Sequence, residues 1–404
     1  MKPLDDLFVL DLSRILSGPF CTMMLGDMGA TVVKVEPPPR GDDTRLWGPP
    51  FINGISSYFL SINRNKRSLG LNLKSPQGKD VLWRLIDRAD VLVENFRPGV
   101  LERLGFGYDA VSRRNPRLVY ASISGYGQTG PYRDRPGYDV VAQGESGIVD
   151  LTGEADRQPV KVGASIADIV AGMNAYQGIL LALLARQRTG KGQRVDIALL
   201  DGMISTLTYQ AMIYFATGTS PKRMGTRHPS IVPYETFETK DGFVNVGAAN
   251  EKQWQNFCRA LGFPQLAFDG RFNSMAGRIK NYDELRAILG AEMKKITRAE
   301  AFELLAKFEL PVGPINTVGE VLEDPHIHAR EMVQELTHPE YGALRYVGIP
   351  IKLSDTPGEL QGPPPRFGEH NRGVLQELGY DELAIDGLAT SQVIAEGEPA
   401  LARG

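Results

Sequence analysis

Apolar and polar positions alternate along the first half of the chain in blocks. Phe8-Val9-Leu10-Asp11-Leu12 reads as a short buried strand. Gly18-Pro19 opens a helix that runs through Met28, with proline in its first turn. Thr31 to Glu36 is a second strand, stopped by Pro37-Pro38-Pro39. Strand, helix and strand in this order form the right-handed unit of a parallel sheet. The pattern then recurs. Ser75-Pro76 starts a helix whose stripe is Val81, Leu82, Leu85 and Ile86. Val91-Leu92-Val93 and Leu118 to Ile123 are buried strands, and a long helix spans about Ser165 to Arg188. Val195 to Leu200 is a further strand, with Asp201 placed to cap the next helix. The alternation predicts an α/β, doubly wound, mostly parallel domain over roughly the first 200 residues.

The texture changes after Gly218. Pro221 to Pro233 is a basic connector containing Pro and Gly, and Phe237 to Val246 reads as a β-hairpin around Lys240-Asp241-Gly242. Helical stretches follow at Glu251–Leu261, Tyr282–Met293 and Arg298–Phe308, predicting a smaller α+β domain. From about Glu320 the chain is rich in Pro and Gly, with one predicted helix at Asn371–Leu378.

Composition narrows the function. The 404 residues carry 45 basic and 48 acidic side chains, a net charge of −3, which gives no case for a nucleic-acid or membrane-surface partner. Cys21 and Cys258 cannot build a disulfide framework or a Cys-based zinc site. The first of the five histidines is His228, so Ser-His-Asp chemistry cannot be built within the first half. His326-Ile327-His328 is the only close pair, and no metal is expected there. Acids near the N-terminus argue against a signal peptide, and the apolar run Gly178 to Ala185 is shorter than the ~20 residues of a membrane span. A cytoplasmic enzyme is expected.

Four segments carry candidate chemistry. Gly125-Tyr126-Gly127-Gln128-Thr129-Gly130 fits a dinucleotide fingerprint, but Pro131 to Pro136 shows no helical periodicity to open at the pyrophosphate, so an active-site loop is the better reading. Arg64-Asn65-Lys66-Arg67-Ser68 with Lys74 is a basic stretch without acids, either a solvated turn or a site for a phosphorylated ligand. Asn95, Phe96 and Arg97 follow a parallel strand, where open α/β sheets bind ligands, and Arg103 adds a further guanidinium. Ser165-Ile166-Ala167-Asp168 resembles a capping box, yet a carboxylate in a first helical turn is also held ionised and can act as a nucleophile. Gly172 lies one turn on and Gly163 precedes the cap, which predicts open space beside Asp168.

Together these pieces resemble the class III CoA-transferases, the family of formyl-CoA transferase and carnitine CoA-transferase. The likeness runs through Asp11 to Pro19, Gly29-Ala30, Val32 to Glu36 and Asn65 to Ser68. It continues through Glu94-Asn95-Phe96, Pro136-Gly137-Tyr138-Asp139, Asp168 and Gly368-Glu369-His370. The resemblance implies that Asp168 is the nucleophile, passing through an aspartyl anhydride and an aspartyl-CoA thioester with no bound cofactor or metal. It carries CoA contacts over to Leu16, Ser17, Leu71, Lys74, Asn95, Phe96, Arg97 and Arg103. Pro37 stands where some members place an arginine, and Arg40 is the candidate for that work. Arg14, Tyr138 and Asp139 are candidate substrate contacts. The family fold further implies a large domain built from residues 1–220 and 326–404, a small one from 221–325, and a homodimer of interlocked rings.

Two other functions compete. 2-Methylacyl-CoA racemase shares the implied fold but uses a histidine where this chain has Tyr138. A non-catalytic acyl-CoA-binding protein would gain nothing from a carboxylate beside a thioester. The chain also lacks the glycine tetrad of formyl-CoA transferase, which leaves the acid open. Arg14, Arg133 and Arg135 favour a dicarboxylic acid such as succinate as donor or acceptor.

Overall fold

Six strands build the sheet of the first unit: β1 (Phe8–Asp11), β2 (Thr31–Glu36), β3 (Lys66–Gly70), β4 (Val91–Glu94), β5 (Val119–Ser124) and β6 (Arg194–Ala198). In the computed structural model, which describes residues 1–397, their spatial order is β3-β2-β1-β4-β5-β6. Every pairing is parallel. This is the doubly wound order, and it reverses between β1 and β4. The central strands β4 and β5 are buried throughout, as helices on both faces require, so they read as near-continuous apolar runs. The core on one face joins Leu10, Val33, Leu82, Leu92 and Tyr120 to Leu375 of the C-terminal segment.

The Pro76–Arg88 helix follows its sequence pattern: Ser75 caps it through Gly78 N, and Val81, Leu82, Leu85 and Ile86 are its buried stripe. The 24-residue helix Ile166–Thr189 is long and apolar enough to cross a bilayer, in contrast to the short apolar run read from the sequence. Here Ala167, Ala171, Ala175 and Ile179 are buried, and the helix packs on β5, β6 and the Ser17–Asp27 helix. Asp201 lies in the first turn of the Leu199–Ser205 helix and does not cap it, because the strand ends earlier, at Ala198.

Within the basic stretch Arg64, Lys66 and Arg67 are taken up by acids of the protein itself. The stretch is largely β3, an edge strand. Arg64 pairs with Asp27 at 2.7 Å, Lys66 with Asp11 at 3.2 Å and Arg67 with Glu377 at 2.8 Å. Lys74 alone of the basic residues is exposed. Beside these pairs lie two more buried ones, Lys34–Asp42 and Arg45–Glu36, each at 2.8 Å. The C-terminal segment closes the free edge of β3. Gly368 N donates to Ser68 Oγ and Gly70 N to Asn371 Oδ1, both at 2.9 Å. That segment holds more structure than its composition predicts: a hairpin (Val333–His338 with Gly342–Val347) and a second helix, Glu382–Thr390, beside Asn371–Glu377.

A second unit comprises Ile148–Lys161 and Tyr209–Asp324. Its sheet is antiparallel, in the order Val312–Pro314, Gly242–Gly247, Tyr234–Thr239, so the predicted hairpin is present. Trp254, Phe257, Phe272 and Leu289 fill its core.

The buried pairs make a stability prediction. Lys66→Met removes the one ammonium paired with buried Asp11, leaving it the Ser13 and Thr22 bonds and the charge of Lys34, and should destabilise the first unit by about 3 kcal/mol, read as a lower urea midpoint. The same network gives acid sensitivity. Burial alone would raise Glu36, but the Arg45 guanidinium holds its carboxyl down at about 2. Its contribution is therefore full above the ordinary carboxyl value of 4.5 and is lost as pH falls toward 2. An unchanged midpoint in Lys66→Met would show that Asp11 needs no ammonium.

Candidate active site

The site lies where the strand order reverses. Beyond the carboxyl ends of β1, β4 and β5 is a crevice lined by Arg14, Ser17, Phe96, Arg97, Tyr138 and Asp168, among others. A roomier hollow, about 760 Å³, lies elsewhere, between Pro38, Asn72 and Gln392. It is the poorer candidate, because it does not lie where the strand order reverses.

The loop after β1 is held from two sides. From below, Lys34 Nζ donates to Ser13 O at 2.8 Å, and Ile15 N donates to the Asp42 carboxylate at 3.3 Å. Ile15 sits at φ 70°, a conformation a β-branched residue adopts only when its surroundings impose it. From the side, Asn95 accepts from Arg14 N at 2.9 Å and donates to Arg14 O at 2.7 Å. Asn95 thus uses both ends of its amide on the protein itself. The next turn is fixed by Glu94, whose carboxylate accepts from Phe96 N at 2.9 Å. Burial pushes that carboxyl up to about 7. The Arg14 guanidinium bonds Asp43 at 3.2 Å and lies 5.8 Å from the Phe96 ring.

Asp168 projects from the first turn of the long helix, but the cap differs from the predicted box. Ser165 makes no capping bond. Asp139 does that work: its Oδ1 accepts from Ala167 N at 2.8 Å and from Asp168 N at 3.4 Å. Gln143 holds Asp139 in turn, with Nε2 donating to Asp139 Oδ2 at 2.7 Å and Oε1 accepting from Val162 N at 2.9 Å. Nor is Asp168 held ionised as the helix end alone would suggest. Burial, then the charge of Asp139, push its carboxyl up to about 7, against a hydrogen bond from Ser17.

Gly172 also reads differently. A Cβ there would stand 2.7 Å from Ser17 O and 3.0 Å from Phe20 Cδ1. Its role is a close crossing of two helices, not open space beside Asp168. Gly163 does face open space. The Gly125–Gly130 loop opens no helix. A Cβ on Gly125 would meet Gly137 Cα at 2.6 Å, so two bare backbones abut and close the loop.

The structure therefore gathers Arg14, Ser17, Asn95, Phe96, Arg97, Tyr138 and Asp168 at one crevice. Asp139 stands behind Asp168, at the helix end. The other predicted contacts lie outside the crevice lining. Leu16 and the Leu71 side chain are buried, Leu71 within the core. Arg40 and Lys74 are exposed on the loops after β2 and β3. Arg103 is exposed on Val100–Leu104, where a Cβ on Gly99 would lie 3.1 Å from its guanidinium. Sequence reading missed Tyr58. Its phenol is pushed up to about 12 by burial and then by the nearby charges of Asp168 and Asp139, which places it within their electrostatic reach. No local signal marks it, since its helix Ser57–Ile62 is a short insertion between strands.

The model of CoA-transferase family III matches residues 4–371. The chain belongs to this family. It is similar to succinyl-CoA:glutarate CoA-transferase of Mus musculus, 43% identical over 399 residues, 98% of this chain and 92% of the mouse protein. It is 41% identical over 383 residues to acetyl-CoA:oxalate CoA-transferase of Acetobacter aceti, covering 94% and 97% of the two chains. Among solved structures, a CAIB/BAIF family protein from Brucella suis matches with a TM-score of 0.84 at 43% identity, over 93% of this chain and 99% of that one. As a family III CoA-transferase, the protein acts on CoA thioesters.

Asn95 locks the Arg14 loop with two hydrogen bonds, each worth about 1 kcal/mol net. Asn95→Ala should raise the KM for a CoA thioester by about tenfold, measured by steady-state kinetics with circular dichroism as the folding control. Kinetics like those of the unaltered enzyme would show that the loop holds its shape without Asn95.

Proposed function

We propose that the enzyme moves CoA from an acyl-CoA donor to a free carboxylic acid with Asp168 as nucleophile. The observation that carries this reading is a half-buried carboxylate on a helix end, facing a crevice lined by Arg14, Arg97 and Arg135. The Asp168 carboxylate attacks the donor carbonyl and expels CoA thiolate, forming an anhydride. The thiolate then attacks the Asp168 carbonyl, releasing the donor acid and leaving an aspartyl-CoA thioester. The acceptor carboxylate attacks that thioester and expels the thiolate again. In the last step the thiolate attacks the acceptor carbonyl of the new anhydride, and Asp168 leaves as a free carboxylate. No proton is consumed and no cofactor is required.

Phe96 and Arg97 would hold CoA at the crevice, with Arg103, Lys74 and Arg40 further out for its phosphates. The crevice arginines and the glutarate- and oxalate-specific relatives support a dicarboxylic acid as acceptor, with succinyl-CoA the first donor to test. A homodimer of interlocked chains is part of the same reading. The racemase alternative is disfavoured, since Tyr138 stands at the histidine position and, among the described residues, no histidine lines the crevice.

Two experiments test this. Incubation with succinyl-CoA and trapping with hydroxylamine should modify Asp168, located by mass spectrometry of the peptide 162–186. Asp168→Asn should lose both the modification and turnover. Deuterium uptake at the α-carbon of a 2-methylacyl-CoA, without any change at Asp168, would make the racemase the better reading. Second, attack requires the ionised carboxylate, and Asp168 gains its charge only as pH rises through about 7. Activity should therefore fall about tenfold per pH unit on the acid side of neutrality. A plateau extending down to pH ~4, the ordinary aspartate value, would contradict the raised carboxyl.

A further inference from the structure

We propose that Asp139, held by Gln143, is a positioning residue that sets both the place and the charge of Asp168. The inference rests on the reading of Asp168 as nucleophile. It arises from a bond pattern that the sequence hides. The helix carrying Asp168 has Ser165 at its N-cap, yet the serine is idle. A carboxylate from a separate short helix, Asp139–Glu145, accepts the backbone N–H groups of Ala167 and Asp168 instead. The first-turn peptide that carries the nucleophile is thereby tied to an element outside its own helix.

Gln143 makes this tie rigid. It sits one turn after Asp139, is buried, and bridges Asp139 Oδ2 to Val162 N. The amide so joins the chain on both sides of Ser165 and Ile166. Asp139 therefore does two things with one group. It fixes the N–H of Asp168, and it places a second negative charge beside the nucleophile. The charge matters for chemistry. A carboxylate with a raised pKa is the stronger nucleophile, and proximity to a like charge makes the neutral anhydride and thioester intermediates easier to reach.

Several other groups face Asp168 or share its crevice. The Ser17 hydroxyl hydrogen-bonds it from the Ser17–Asp27 helix, and the Tyr58 phenol senses its charge from Ser57–Ile62. Arg14, Arg97, Arg135 and Tyr138 line the same crevice from the loops after β1, β4 and β5. Tyr58 also senses the charge of Asp139, so the test reads Asp168 itself rather than activity alone.

The test compares Asp139→Asn with Asp139→Ala. The amide oxygen of the first can keep accepting from residues 167 and 168 but carries no charge, and its NH2 cannot accept from Gln143 Nε2. The second loses cap and charge together. The titration of Asp168 is followed by carbon-13 NMR on aspartate-labelled enzyme, with the resonance assigned by its loss in Asp168→Asn. Both variants should lower the midpoint by about one pH unit. The acid limb of kcat/KM should move down with it. Only Asp139→Ala should also lose about tenfold in plateau kcat with KM for the thioester within twofold, the mark of lost positioning. An unmoved Asp168 midpoint in Asp139→Asn overturns the electrostatic half, and an undiminished plateau kcat in Asp139→Ala overturns the positioning half. A midpoint that moves while the acid limb stays would uphold the coupling and refute Asp168 as the nucleophile.

Discussion

The first unit depends on keeping buried charge neutral. Asp11–Lys66, Lys34–Asp42, Glu36–Arg45 and Asp27–Arg64 are all nearly inaccessible ion pairs around the strands of the sheet. Such pairs stabilise little against apolar replacements, because desolvation offsets most of the attraction. Their effect is geometric. Each buried charge tolerates only one arrangement of its partners, so the loops that carry those partners have one conformation too. Lys34 joins Asp42 and Ser13 O in a single contact set, and Asp42 in turn holds Ile15 in its strained backbone. The crevice floor inherits its shape from charges that never touch a ligand.

Ser17 carries that order onward. The loop fixed by the ion pairs leads into the Ser17–Asp27 helix, and the Ser17 hydroxyl meets Asp168. The Gly172 crossing brings the two helices close enough for this to happen. On the other side, Asp139 and Gln143 grip the same helix end. The nucleophile of the proposed reaction is thus positioned by a sheet-side scaffold and a loop-side scaffold that share no residues.

Much of this architecture was legible in the sequence, because β1, β2, β4 and β5 are short apolar runs and Pro76–Arg88 has a clean helical stripe. The illegible parts share one cause: their partners are distant in the chain. The segment Arg64 to Ser68 reads as a basic turn because the acids that neutralise it, Asp11, Asp27 and Glu377, lie far away in the chain. The cap of the Asp168 helix reads as Ser165 because the true acceptor is 28 residues upstream of Ala167. At the candidate site, residue types that attract ligands were found readily, among them Arg14, Phe96, Arg97 and Asp168. Asn95 was found too, but its amide is turned to the Arg14 backbone, a use that no local pattern distinguishes from ligand binding.

The closure of β3 by the C-terminal segment bears on how the chain is made. Ser68 and Gly368 are bonded across a separation of 300 residues. At ribosomal rates of roughly 5–20 residues per second, β3 therefore waits on the order of 15–60 s for its cover. Throughout that interval a growing chain presents an unpaired sheet edge, the feature most prone to join another chain. Arg67 then has a second use, since its partner Glu377 has yet to be made and its charge repels the like charge on a second nascent edge. The segment Tyr209–Asp324, by contrast, emerges whole before residue 368 and carries its own core. Synthesis from N to C thus favours an order in which the inserted unit matures while the sheet that surrounds it in sequence is still open.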